Sequence, residues 1–149
     1  GMVQHYFPNK AAMMDLAMHT VAARYEARVT TAISGLGAEP SPRALVGAMV
    51  GTLIPRTAEE RDDARVALAF QSYAAGRPDA AARLGAENAV LLGYITELMA
   101  SAGVSDAQTA SLTVRALAEG LALCVTGSGL DASAASVALD RQLTLVFGG

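Results

Sequence analysis

Apolar side chains recur every three or four residues near the start of the chain, and this spacing constrains the fold more than any other feature. Six of them would share one face of a single helix: Met14, Met18, Val21, Tyr25, Val29 and Ile33. Such a period is that of an amphipathic α-helix with one buried stripe. No stretch of useful length alternates as a strand would. The sequence therefore predicts an all-α protein.

Proline, glycine and capping residues divide the rest of the chain into further helices. Ser41 and Thr57 are good N-caps, Pro42 suits a first helical position, and Gly76 with Pro78 interrupts the pattern. The sequence predicts six helices, at about residues 10–33, 42–53, 58–75, 79–102, 105–127 and 132–147. With 149 residues, of which 52% are apolar and 17% charged, the chain is large and apolar enough to bury a core.

The segment before the first helix holds two aromatic residues beside hydrogen-bond donors. His5 and Tyr6 can each donate to a phosphate oxygen, and Asn9 can cap a helix that starts at Lys10. A lysine in the first turn opposes the helix dipole, which makes sense if an anion docks at this terminus. The candidate phosphate contacts are therefore His5, Tyr6 and Lys10. The alternative is a solvated lysine near two ordinary aromatic residues, Tyr6 and Phe7.

The pair Tyr6-Phe7 with Lys10 resembles the YF-x-x-K signature that closes the helix-turn-helix of the TetR family of transcriptional regulators. The order of helix lengths after it resembles the regulatory domain of that family. The ending Leu139-Asp140-Arg141-Gln142-Leu143, with Val146-Phe147, resembles the last helix of the subgroup that includes the choline-responsive repressor.

The resemblance implies a TetR-like regulatory-domain helical bundle of about six helices after a truncated recognition helix. Residues 1–9 would be a remnant of the DNA-binding domain, and residues 10–149 the ligand-binding and dimerisation domain. The implied function is a transcriptional regulator, a repressor, that binds DNA only in a form with the complete helix-turn-helix. The alternative from another class is a stand-alone helical ligand-binding or interaction module without DNA binding.

The resemblance also places a mostly apolar ligand cavity among the first, third and fourth helices. Its expected contacts are amphipathic side chains and apolar wall residues: Met18, Tyr25, Phe70, Gln71, Tyr73, Asn88 and Tyr94. Tyr73 and Tyr94 are the foremost candidates among them. The alternative for Tyr73 and Tyr94 is a core tyrosine with its hydroxyl at the surface. Aromatic residues make up only 5% of the chain and tryptophan is absent, so an aromatic cage for choline is not expected. The expected effector is an apolar or amphipathic small molecule.

The last two predicted helices are rich in small residues, which let helix backbones approach closely. In the family that the chain resembles, these helices pair with those of a second subunit, and the implied state is a homodimer. The interface residues expected are Leu117, Gly120, Leu121, Leu139, Leu143 and Phe147. An intramolecular core explains the same pattern.

The charge distribution disfavours DNA binding by the chain itself. Its net charge is −3, with seven basic and seven acidic residues up to position 75 and four and seven thereafter. A DNA-binding surface normally carries a basic patch. We expect this chain to bind nucleic acid weakly or not at all.

Residues suited to catalysis or metal binding are few. No second histidine stands at metal-ligand spacing from His19, and the lone Cys124 is predicted to be buried and inert. The acidic run around Asp63 is predicted to be a solvated helix start. An enzyme, a cofactor and a metal are not expected. No membrane span or signal peptide is predicted, so the expected compartment is the cytoplasm.

Overall fold

The computed structural model describes residues 9–148, which form six α-helices and no strand. The helices are α1 (Lys10–Ser34), α2 (Pro42–Gly51), α3 (Ala58–Ala75), α4 (Pro78–Ser101), α5 (Ala107–Gly127) and α6 (Ala132–Phe147). The all-α prediction is confirmed, and every predicted helix end lies within two residues of the observed one.

Side-chain caps explain where several helices begin. The Asn9 side chain accepts a hydrogen bond from the Ala12 amide at 2.8 Å. Thr57 accepts one from the Glu60 amide at 3.1 Å, and the Glu60 carboxylate accepts one in return from the Thr57 amide at 3.4 Å. This capping box satisfies amides that a helix start otherwise leaves without a partner. The predicted caps Asn9 and Thr57 are therefore confirmed.

The main core joins α2, α4, α5 and α6. Its buried residues are Val46, Val50, Ile54, Ile95, Met99, Val114, Ala118, Val125, Ala135, Leu139 and Leu143. Fully burying one of its larger side chains stabilises the fold by about 1.5–3 kcal/mol, so this four-helix unit dominates the apolar stabilisation.

A second apolar group, the small cluster, lies between α1, α3 and the start of α4. Its buried residues are Phe70, Ala74 and Ala80, and four partly buried residues pack around them: Met14, Met18, Tyr73 and Leu84. In α1, whose 25 residues make it the longest helix of the described chain, only Val21 is buried.

Polar contacts attach α1 to its neighbours. Arg24 and Arg28 of α1 each donate to the Asp63 carboxylate of α3 at 2.8 Å. Arg83 of α4 bonds the Asp15 carboxylate of α1 at 3.1 Å. Because hydrogen bonds and ion pairs, rather than apolar packing, make these attachments, α1 is the helix that can shift with the least loss of buried apolar area.

The prediction of a solvated acidic start for α3 is wrong for Asp63, which is only 3% exposed. Burial alone would raise the pKa of its carboxyl, but hydrogen bonds from Arg28 and Arg24 outweigh burial and hold the pKa below its ordinary value of 3.8. The sequence pattern failed here because both arginines come from a different helix.

One further expectation fails on α5: Cys124 is exposed rather than buried. Within residues 9–148, α5 is the one helix long and apolar enough to cross a membrane by length and composition alone. Core helices of water-soluble proteins pass the same test. In this structure, α5 contributes Val114, Ala118 and Val125 to the main core.

Candidate effector groove and neighbouring sites

An open groove of about 530 Å³ lies between α1, α2 and α4. We call it the Tyr94 groove, and its lining residues are Ile33, Leu45, Met49, Tyr94, Glu97, Leu98 and Ser101. Four of the seven are apolar and come from all three helices. The volume lies in the range of about 300–1,000 Å³ that is usual for small-molecule sites.

The polar residues of the groove all come from α4. Tyr94, Glu97 and Ser101 are spaced three and four residues apart, so they share one helix face. The Tyr94 side chain is 60% exposed, and the Ser101 hydroxyl donates to the Leu98 carbonyl at 2.8 Å. Sequence reasoning identified Tyr94 and missed the other two, which the same spacing along α4 would have found.

Tyr25 is tied to the backbone beside the groove rather than facing it. Its hydroxyl donates to the Met49 carbonyl at 2.5 Å and joins α1 to α2. Burial raises the pKa of Tyr25 to about 12, since the charged phenolate is disfavoured there; nearby Arg115 opposes that shift. As a ligand contact Tyr25 is therefore a poor candidate, because its polar atom is already bonded.

Three of the predicted ligand contacts, Met18, Phe70 and Tyr73, meet in the small cluster. The Phe70 and Tyr73 ring centroids are 6.2 Å apart, and the Arg77 guanidinium lies 4.0 Å from the centre of the Tyr73 ring. Phe70 is buried by its neighbours. The structure thus brings these residues together, but as packed core residues away from the Tyr94 groove.

Asn88 and Gln71 are also separate from the groove. The side-chain and main-chain oxygens of Asn88 accept hydrogen bonds from Arg115 of α5, at 2.6 and 3.0 Å. Arg115 further bonds the Glu119 carboxylate at 2.9 Å, so its charge is balanced within the protein. Gln71 is exposed on α3.

A second open groove of about 400 Å³ lies between α1 and α3 and includes Leu16, Val21 and Arg24. Its charged groups are already paired, since Arg24 bonds Asp63 and Asp62 bonds Arg65 at 2.6 Å. A ligand there would have to compete with these ion pairs. The Tyr94 groove is the better candidate for a ligand site.

The expected dimer residues lie in three kinds of surroundings. Leu139 and Leu143 are each 3% exposed in the main core, so their assignment to an interface is wrong: they pack against helices of their own chain. Leu117, Leu121 and Phe147 are partly buried against that core. Gly120 is exposed.

The outer face of α5 and α6 carries other large apolar side chains. Its members, all exposed, are Leu112 and Leu123 of α5 and Val137 and Leu145 of α6. We call this set the α5–α6 outer face. Large apolar side chains clustered on a surface commonly mark an interaction site.

The predicted DNA contacts His5 and Tyr6 lie outside the described residues. Lys10 is exposed at the first position of α1, beside the Asn9 cap. Within residues 9–148, no group of three or more histidine, cysteine, aspartate or glutamate residues is arranged to hold a metal ion.

Comparisons with known proteins place the chain among transcriptional regulators. Residues 42–148 match the family of BetI-type transcriptional repressors, in their C-terminal domain. The structure is similar to that of a transcriptional regulator from Rhodococcus sp. Rha1, with a TM-score of 0.85 and 26% identity over 99% of this chain and 78% of that one.

A Rhodococcus sp. protein assigned to the TetR family is similar in fold, with a TM-score of 0.84 and 18% identity over 99% of this chain and 80% of that one. No match was found among the curated proteins.

Proposed function

We propose a function from one premise: the chain belongs to the TetR family of transcriptional regulators, in the group with a BetI-type C-terminal domain. On this premise, residues 10–149 form the ligand-binding and dimerisation domain of a repressor in the cytoplasm. Its effector is an apolar or amphipathic small molecule held in the Tyr94 groove. The observation that carries the proposal is that groove, which is largely apolar and has a few polar groups on one face of α4.

The groove is connected to the start of the domain through α1. Ile33, near the C-terminal end of α1, lines the groove, and Lys10 stands at the opposite end of the same helix. At a rise of 1.5 Å per residue, the two ends of α1 are about 37 Å apart. A ligand that pushes Ile33 away from Leu98 would tilt α1 as a rod and displace its Lys10 end.

The polar attachments of α1 suit this motion. A dry core resists sliding because its packing is interlocked, whereas α1 has one buried residue and several hydrogen bonds that can re-form after a small shift. The effector would therefore act on α1 and leave the four helices of the main core in place.

The α5–α6 outer face would pair with its counterpart in a second copy of the chain. Leu112, Leu123, Val137 and Leu145 lie on neighbouring helices and carry no charge, and the exposed Gly120 lets the helices approach closely. Packing of two such faces forms an isologous four-helix contact. These residues replace Leu139 and Leu143 in the proposed interface.

DNA binding belongs to a form of the protein with the complete helix-turn-helix. In the dimer, two readers would lie one helical turn of DNA apart or a multiple of it, about 34 Å, and tilting of α1 would change that spacing. Lys10, with His5 and Tyr6, would contact phosphate. The net charge of −3 leaves the present chain a poor DNA binder by itself.

DNA binding is tested by fluorescence anisotropy with promoter-proximal DNA. The titration compares this chain with a form extended through a complete helix-turn-helix. Specific binding by the extended form only, weakened by a groove ligand, supports the regulator. If neither form binds specifically, the stand-alone ligand-binding or interaction module replaces it.

Dimerisation is tested by light scattering coupled to size-exclusion chromatography at micromolar concentration. The wild-type chain should be a dimer, and Leu145→Arg should be a monomer because it places a charge in the apolar contact. Leu68→Arg, which changes an exposed leucine on α3, is the matched control and should remain dimeric. A wild-type chain that is monomeric under these conditions would remove the dimer from the proposal.

A further inference from the structure

We propose that the Tyr94 groove selects an amphiphile whose polar end is a protonated primary amine. The inference rests on the proposed function, which it deepens by naming the chemical class of the effector. It is carried by the identity of the groove's polar groups and by the state of their hydrogen bonds.

The charge of the groove is negative. Glu97 is the only charged residue that lines it, and no basic side chain does. Within residues 9–148, Glu97 forms no ion pair, a property that it shares with seven other carboxylates. It differs from them in lining the Tyr94 groove. An uncompensated carboxylate at an apolar groove attracts a cation and repels a carboxylate ligand.

The hydrogen-bonding groups favour a ligand that donates. The Glu97 carboxylate can only accept, and the single proton of the Ser101 hydroxyl is already donated to the Leu98 carbonyl at 2.8 Å. Both residues lie on one face of α4, four positions apart. A primary ammonium has three N–H donors for two such acceptors, whereas a trimethylammonium group has none.

The small number of aromatic residues in the groove also favours a primary amine over a quaternary one. Recognition of a quaternary ammonium uses a cage of several rings, and Tyr94 is the only aromatic residue that lines the groove. One ring can cover one side of an ammonium group but cannot replace its hydrogen bonds. The groove therefore favours a primary amine over a quaternary one with the same apolar part.

The remainder of the groove accommodates an apolar chain. Ile33, Leu45, Met49 and Leu98 contribute aliphatic or thioether surface from three helices. The amine of an alkylamine titrates near the lysine value of about 10.4, so it is charged at pH 7. An alkylamine thus matches both the apolar surface and the acidic edge.

The experiment is isothermal titration calorimetry at pH 7 with four probes that share one chain: n-octylamine, n-octyltrimethylammonium, 1-octanol and octanoate. Octylamine should bind most tightly, about fivefold more tightly than octyltrimethylammonium, and octanoate should bind most weakly. Shifts of the Met49 methyl signal in NMR spectra locate the bound probes in the groove.

Glu97→Gln keeps the shape of the side chain and removes its charge. It should weaken octylamine binding about fivefold, the gain expected from a partly exposed charge pair, and leave octanol binding unchanged. Glu87→Gln, on the same helix but outside the groove, should bind all four probes as the wild-type chain does. Both positions are exposed, so neither variant is expected to affect folding.

The outcomes separate the inference from the proposed function. If octyltrimethylammonium or octanol binds in the groove as tightly as octylamine, or if Glu97→Gln changes nothing, the amine inference is overturned and the groove remains the effector site. If none of the four probes moves the Met49 signal, the groove loses its role and both proposals fall.

Discussion

The main core and the small cluster stabilise the same chain in different ways. The main core interlocks four helices through eleven buried apolar residues. The small cluster has three, two of them alanines, and the helix that covers it is also attached by ion pairs and a tyrosine hydroxyl. Interlocked packing resists small displacements, whereas a few hydrogen bonds between polar side chains can re-form after a small shift. We therefore expect α2, α4, α5 and α6 to keep their relative positions while α1 shifts.

The largest expected difference is between two methionines, one in each region. Met99 is fully buried in the main core and Met18 is partly buried beside the small cluster. Met99→Ala should lower the free energy of unfolding by about 3 kcal/mol, because it leaves a cavity that interlocked neighbours cannot fill, and Met18→Ala by about 1 kcal/mol. Urea denaturation followed by circular dichroism measures both. Equal losses would show that the two regions are packed alike.

Asp63→Asn should have the next largest effect, about 1–2 kcal/mol, because two arginines lose a charged acceptor but stay partly exposed to water. The pKa of Asp63 is lower in the folded state than in the unfolded one. Its contribution to the free energy of unfolding is therefore present above pH 3.8 and is lost as the pH falls further. Denaturation at pH 6 and at pH 3 should show this loss in the wild-type chain and a smaller one in Asp63→Asn. The same acid sensitivity in both proteins would contradict the assignment.

Tyr25→Phe removes the hydrogen bond between α1 and the Met49 carbonyl and should cost about 1 kcal/mol. The pKa of Tyr25 is 10.0 in the unfolded chain and about 12 in the folded protein. The contribution of Tyr25 to the free energy of unfolding is therefore complete below pH 10 and disappears as the pH approaches 12. Hydrogen exchange should show faster exchange of α1 amides in the variant, with α5 unchanged. Uniform acceleration in both helices would mean that α1 does not move independently of the core.

Arg83→Ala should have the smallest effect, below about 0.5 kcal/mol, because its ion pair with Asp15 is exposed to water at both ends. The variant provides a baseline for the other links of α1. A loss as large as that of Asp63→Asn would show that the start of α4, rather than α3, holds α1 in place.

Much of the site was beyond sequence reasoning because its residues are distant in the chain. Tyr94, predicted as a ligand contact, lines the groove, and its neighbours Glu97 and Ser101 follow from helical spacing alone. Ile33, Leu45 and Met49 join them only because α1 and α2 pack on the end of α4. Met18, Phe70 and Tyr73 were predicted as ligand contacts, and the structure packs them against one another in the small cluster.

The sequence by itself determined the helices, because their signals act within four residues: Asn9 bonds Ala12, Thr57 and Glu60 bond each other, and the apolar period of α1 is local. Only the tertiary structure decided which faces are buried. α6 has apolar residues on two sides, and packing against α2 and α5 selected Leu139 for the core and left Val137 outside. It likewise placed Asp63 beneath two arginines from another helix. Local hydrogen bonds determine where a helix begins and ends, whereas burial depends on which helices pack beside it.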